Sequence, residues 1–164
     1  MVNEQPEKMT EVEEYVDALK NNKFVGYMPA YTYNGEDNYF PAFTYEHIDE
    51  LLKYREEKSI ITKFPCNPVS SEWQDELELG RYILWTIEYI RIKHIDERLL
   101  VSWRFPSQNP VLCLQSSRGV WFFDAEAYQI TSDAYYAWWT GNKEKELIEI
   151  MNMDPLENTP YEWF

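Results

Sequence analysis

Glycine is scarce in this chain, and the five present, Gly26, Gly35, Gly80, Gly119 and Gly141, never lie closer than nine residues apart. That spacing excludes, in their standard forms, the GxGxxG dinucleotide turn, the Walker A loop and the GxSxG nucleophile elbow. Each of these needs glycines a few residues apart so that the backbone can approach a phosphate or turn sharply. Histidine is rarer still. His47 and His94 sit neither in an HExxH pattern nor beside a cysteine, so they are expected as surface or capping residues. Cys66 and Cys113 make no CxxC pair, no zinc spacing and no disulfide framework, and both are expected as buried thiols. Glu36-Asp37-Asn38, after Asn34-Gly35, lacks the alternating acidic positions and late Glu of a calcium loop and is expected to be a polar turn. No metal and no cofactor is expected.

Positive charge is also in short supply. Fifteen Lys and Arg stand against 29 Asp and Glu, a formal net charge of -14. The phosphate attraction that drives nucleic-acid binding is missing overall, and an anionic membrane would repel the chain. One segment reverses the balance. Between residues 81 and 118, Arg81, Arg91, Lys93, Arg98, Arg104 and Arg118 outnumber Glu88, Asp96 and Glu97, a local basic island. Long apolar runs are absent too. The longest, near Ile83 to Ile87, is interrupted by Thr86 and ended by Glu88, so no transmembrane segment is expected. Nothing in the first thirty residues resembles a signal-peptide core, and the chain as written reads as soluble and leaderless.

What is abundant is aromatic surface: seven Trp, thirteen Tyr and eight Phe among 164 residues. A chain of this length fits one domain and buries roughly 70% of its unfolded surface. Surplus Trp and Tyr beyond the core favour contact with a partner or ligand. Residues 1–8, polar and containing Pro6, read as a flexible lead-in, and 9–164 as a single globular domain.

Val12, Tyr15, Val16 and Leu19 at i, i+3, i+4, i+7 predict a first helix from Thr10, stopped at Asn21-Asn22. Residues 23–43, with Gly26, Pro29, Gly35 and Pro41, predict an irregular packed segment turning at Asn34-Gly35. Thr44 can cap a second helix carrying Tyr45, Ile48, Leu51, Leu52 and Arg55. Ser71 and Gln74 offer a capping box for a central helix over 71–94, apolar on two sides, with Gly80 marking a close approach by another element. Alternation at Leu99, Val101, Trp103 and Phe105 predicts a strand, and 111–115 with 120–123 a hairpin joined by Ser116 to Gly119. Ala127, Ile130, Ala134 and Ala137, with Tyr128, Tyr135, Trp138 and Trp139 nearby, predict a helix ending at Gly141. Asn142 would then cap a last helix through Ile150 and Met151. The expected fold is therefore α+β and predominantly α: about five helices around a long central helix, with a small antiparallel strand element. The alternative is an all-α orthogonal bundle.

The basic island supplies the candidate ligand or partner site: Arg91, Arg104, Arg118 and Trp121, since Arg beside an aromatic ring suits anionic or planar groups. Strand alternation predicts Trp103 buried and Arg104 facing solvent with Arg118 nearby. No catalytic residue is named. Carboxylates abound, but a glycosidase pair needs a fixed separation that sequence does not report, and the set of nucleophile, base and oxyanion donors goes unfilled.

The stretches FPAFTYEHIDELLKYREEKSIITKFPCNPVSS, LGRYILWTIEYIR, RFPSQNPVL, AYYAWW and DPLENTPYEW together resemble a bacterial domain-of-unknown-function family of cell-envelope lipoproteins, from about Phe40 onward. The resemblance implies an envelope or periplasmic location and a lipid-bearing cysteine ahead of a polar tether. This chain starts at Met1 and shows neither leader nor early Cys, so an anchor is expected only if a leader has been removed. The resemblance carries no activity and no catalytic residues.

Three functional expectations follow. The first is a non-catalytic binding or interaction domain whose partner is a protein or a glycan. The second is an acidic, immunity-type inhibitor that masks a basic toxin. The third is a carbohydrate-binding or carbohydrate-active protein.

Overall fold

The computed structural model describes residues 8–24, 31–33, 36–38, 42–65, 75–95, 109–122 and 124–164. Helix α1, Glu11–Lys20, begins at a reciprocal cap. The Glu13 backbone N–H donates to Thr10 Oγ1 at 3.1 Å, and the Thr10 N–H donates to Glu13 Oε2 at 2.8 Å. It ends at Asn21, followed by Asn22 at φ 52°, a left-handed conformation that Asn tolerates well. Val12, Tyr15, Val16 and Leu19 are buried, as their spacing predicts.

Strands β1, Tyr31–Tyr33, and β2, Glu36–Asn38, pair antiparallel on either side of residues 34 and 35, which lie outside the described residues. The second predicted helix is real but composite. A 3₁₀ turn at Tyr45–His47 leads into α2, Ile48–Leu51, and a further 3₁₀ turn at Leu52–Tyr54. Ile48, Leu51 and Leu52 face the core, while Tyr45 is exposed.

The central helix starts later than predicted. Asp75 and Glu76 are not helical. Leu77–Glu78 is a strand, β4, pairing antiparallel with β3, Ile60–Ile61. Helix α3 is Leu79–Ile95. The physical reason is where its first amides find acceptors: Leu79 N–H donates to Ser59 O and Gly80 N–H to Glu57 O, both at 2.8 Å. The expected cap at Ser71 and Gln74, together with Trp73 and Cys66, lies outside the described residues. Every residue from Leu79 to Arg91 is buried, so the prediction of a helix apolar on two sides and central holds. Gly80 is the predicted close approach: a Cβ there would stand 2.5 Å from the Arg55 carbonyl oxygen.

Strand β5, Leu112–Leu114, lies between β6, Ser117–Phe122, and β7, Tyr161–Trp163, antiparallel to both. The hairpin is thus present, but its connection is Gln115-Ser116 rather than Ser116 to Gly119. A register shift between Cys113 and Leu114 absorbs the difference. Leu112 is opposite Trp163 and Leu114 opposite Tyr161, so the tail packs as a strand. Cys113 is a buried thiol, as expected. The strand predicted around Leu99–Phe105 lies outside the described residues.

Helix α4, Ala125–Gly141, is capped by Asp124, whose carboxylate accepts from the Ala127 N–H at 2.8 Å. Its inward line is Ala127, Tyr128, Thr131, Tyr135, Trp138 and Trp139; Ala137 is exposed, so bulk rather than the alanines sets the buried face. Asn142 is its C-cap and does not start the next helix, α5, which runs Leu147–Asn152 from Glu146. The fold is α+β and predominantly α, with five helices and three small antiparallel sheets among the described residues. No helix in them is long and apolar enough to cross a membrane.

Candidate functional site

Of the four residues expected at a binding site, Arg91 alone has a described side chain. Arg104, with Trp103, lies outside the described residues. Arg118 and Trp121 belong to β6, where the backbone sets Trp121 opposite Cys113. The structure turns Arg91 inward, with 9% of its surface exposed. Its Nε and Nη2 grip both oxygens of Glu88 at 2.9 and 2.6 Å, and Nη1 donates to the carbonyls of Met151 and Met153 at 3.1 and 3.3 Å. Burial works against the Arg91 charge, but Glu88 outweighs it and holds the pKa above the ordinary value. Tyr135 donates its hydroxyl to Glu88 Oε2 at 2.5 Å and accepts the Trp163 indole N–H at 2.9 Å. Burial first, then the Glu88 charge, pushes the Tyr135 phenol well above its usual range.

This corrects one expectation. Arg91 joins α3 to the end of α5 and spends all three nitrogens on protein groups, so it does not present its guanidinium to a surface partner. Its partner Glu88 is just as deeply placed, 3% exposed. Its position between Ile87 and Tyr89, on a helix apolar all round, was the available signal.

The described part of the basic island that does reach the surface is the last turn of α3. Ile90, Lys93 and His94, spaced i, i+3, i+4, share one face there. Across from them run Phe43, Thr44 and Tyr45, just before α2. Together these six residues line a cavity of about 300 Å³. Phe43 and Ile90 are nearly fully buried and form its wall; Tyr45, 39% exposed, lies toward solvent. Phe43 is fixed edge-on against Tyr15, with ring centroids 5.2 Å apart, and packs on His47 at 4.9 Å. Lys93 is half-buried, with its ammonium 5.9 Å from the centroid of the Tyr89 ring, and burial pulls its pKa down. A second hollow, about 560 Å³ beside α1, is lined by Lys8, Glu13, Asp17 and Lys20 among others and is far more polar.

At the cavity edge, Thr44 Oγ1 lies 3.3 Å from His47 Nδ1, and His47 Nε2 lies 3.1 Å from Glu11 Oε2. A hydroxyl, an imidazole and a carboxylate in sequence would suit a nucleophile and its base. Here, however, the Nδ1 lone pair accepts the Thr44 backbone N–H at 3.1 Å, so the imidazole serves as a helix cap. That is the capping role expected of a histidine. Among the described residues no group of three His, Cys, Asp or Glu side chains is placed to hold a metal ion.

What these residues can do chemically is enclose an apolar body and meet a negative charge at one end. The sequence pointed to Lys93 only as one charge of the basic island and to Tyr45 only as a helix residue, and it did not single out Phe43 or Ile90. The signal was a cation at i+3 from an apolar residue in the final turn of a helix otherwise buried.

Residues 6–164 match the family described as a domain of unknown function (DUF4943), and the chain belongs to that family. No curated protein and no solved structure matches it.

Proposed function

We propose, with membership of this family as the premise, that the protein is a non-catalytic binding domain and that its contact site is the cavity between Phe43–Tyr45 and the last turn of α3. One observation carries the reading: the cavity, about 300 Å³, combines an apolar wall with the half-buried side chain of Lys93. Pockets of roughly 300 to 1,000 Å³, mostly apolar with a few convergent polar groups, are the common form of small-ligand sites. The test is a nitrogen-15 NMR screen with small aromatic and aliphatic fragments. Binding that shifts the amides of residues 43–45 and 90–94 supports the reading. Fragments that bind only elsewhere, or not at all, overturn it.

The charge of -14 favours a second reading, an acidic inhibitor of a basic protein. Steep loss of association with added salt supports it, because screened attraction is what it relies on. An envelope location, with lipid anchoring, belongs to the same proposal through the family resemblance; cell fractionation with an antibody to the protein tests it.

A further inference from the structure

The lysines of this chain fall into three groups. Lys20, Lys23, Lys143 and Lys145 pair with Glu57, Asp17, Asp49 and Glu149. Lys8, Lys53, Lys58 and Lys63 make no ion pair among the described residues, and all four are exposed, where water solvates the ammonium. Lys93 alone is half-buried and, among the described residues, ion-paired with nothing. In a protein with 29 acidic side chains to choose from, that is an anomaly. Taking an ammonium out of water is costly unless an anion compensates.

The end of a helix explains part of this. Lys93 stands in the last turn of α3, where outward-facing carbonyls favour a cation. They do not explain why the Lys93 side chain is half-buried at a cavity that Phe43 and Ile90 also line, rather than in open water.

From this placement we infer that the cavity binds a small monocarboxylic acid with an aromatic or branched aliphatic body, the carboxylate meeting Lys93 and the body lying against Phe43, Tyr45 and Ile90. The inference rests on the binding-site reading above and names its ligand class. Size supports it. A cavity of about 150 Å³ takes one benzene, so about 300 Å³ accommodates a phenyl ring with a short chain. Charge supports a single carboxylate over a phosphate or a polyanion, because the overall charge of -14 repels anions in proportion to their valence while Lys93 neutralises one unit. Exposed His94, on the same face, adds a nitrogen that can donate to the second carboxylate oxygen.

The test is titration of the whole chain with 3-phenylpropanoate and with its neutral counterpart 3-phenylpropan-1-ol, followed by nitrogen-15 NMR. Lys93→Met removes the charge and keeps most of the stem, and Lys93→Arg keeps the charge; thermal unfolding checks that both variants fold. In the native protein the acid is expected to bind about tenfold or more tighter than the alcohol, shifting the amides of residues 43–45 and 90–94. Lys93→Met is expected to abolish that preference and Lys93→Arg to retain it. Equal binding of acid and alcohol to the native protein overturns the anion inference and leaves the cavity reading standing. A preference for the acid that survives in Lys93→Met removes Lys93 as the anchor. If neither compound binds, the cavity reading fails and this inference with it.

Discussion

Trp163 donates its indole N–H to the hydroxyl of Tyr135 at 2.9 Å, and that hydroxyl is the only link by which the C-terminal strand reaches Glu88 through the hydrogen bonds described. One oxygen therefore satisfies two buried groups. Tyr135→Phe is expected to cost about 1 to 3 kcal/mol, because it leaves the Trp163 N–H without an acceptor and Glu88 Oε2 short of a donor. Urea unfolding measures it. A change below about 0.5 kcal/mol would show that water replaces the hydroxyl at no penalty.

Glu88 and Arg91 answer to a different rule. Glu88→Leu strands a buried guanidinium and is expected to cost about 3 to 5 kcal/mol. Adding Arg91→Met should recover much of that loss, since a buried pair replaced by apolar residues of similar volume is often close to neutral. Recovery should stay incomplete, because Met151 and Met153 lose the donor to their carbonyls. Strictly additive costs in a double-mutant cycle would contradict the pairing.

Two glycines at opposite ends of their helices should respond in opposite directions. Gly80→Ala places a methyl 2.5 Å from the Arg55 carbonyl oxygen and 2.9 Å from the Glu57 nitrogen, both of them backbone atoms, so it should destabilise despite about 1 kcal/mol of gained helix propensity. Gly141→Ala meets nothing within 4 Å and should stabilise by up to about 1 kcal/mol. Melting temperatures of the two variants moving the same way would refute the packing of α3 against residues 55–57.

Asp49 supplies a pH dependence. The Lys143 ammonium at 2.6 Å holds its carboxyl below the ordinary value of 3.8; slight burial opposes, and the Trp139 indole N–H at 2.9 Å assists. A carboxyl with a lowered folded-state pKa contributes stability in full above its unfolded value, and that contribution disappears as pH falls through the folded one. Asp49→Asn should thus cost up to about 1 kcal/mol at neutral pH, the limit for so exposed a pair. The gap should close on acidification below about 3.8. A gap that ignores pH would mean the effect is not electrostatic.

Periodicity made the helices legible because burial repeats along them. Val12 to Leu19 and Ile48 to Leu52 face inward as spaced, and the doubly apolar stretch after Leu79 is central. The start of α3 was not legible, because its first amides bond to residues 57 and 59, acceptors some twenty positions upstream that no local pattern reports. The third strand of the sheet was missed for a related reason: Tyr161–Trp163 is three residues long and its partner lies near residue 113. At the site, composition pointed to arginines, while geometry selects Lys93. A guanidinium three residues from a glutamate on the same buried helix finds its partner at home, whereas Lys93, two residues further on, makes no ion pair among the described residues.

The closing strand also sets an order of events during synthesis. Glu88 and Arg91 emerge within one turn of helix, so each shields the other before Tyr135 exists. At about 5 to 20 residues per second, roughly 4 to 15 seconds separate the making of residue 88 from that of residue 163. In the later part of that interval, once residue 122 has been made, β5 can pair with β6 on one side, while its other edge waits for β7. An unpaired strand edge is a template for the wrong chain. Nascent protein halted before residue 161 should therefore be the form most in need of a chaperone, and release of the last strand the step that makes the molecule safe from its neighbours.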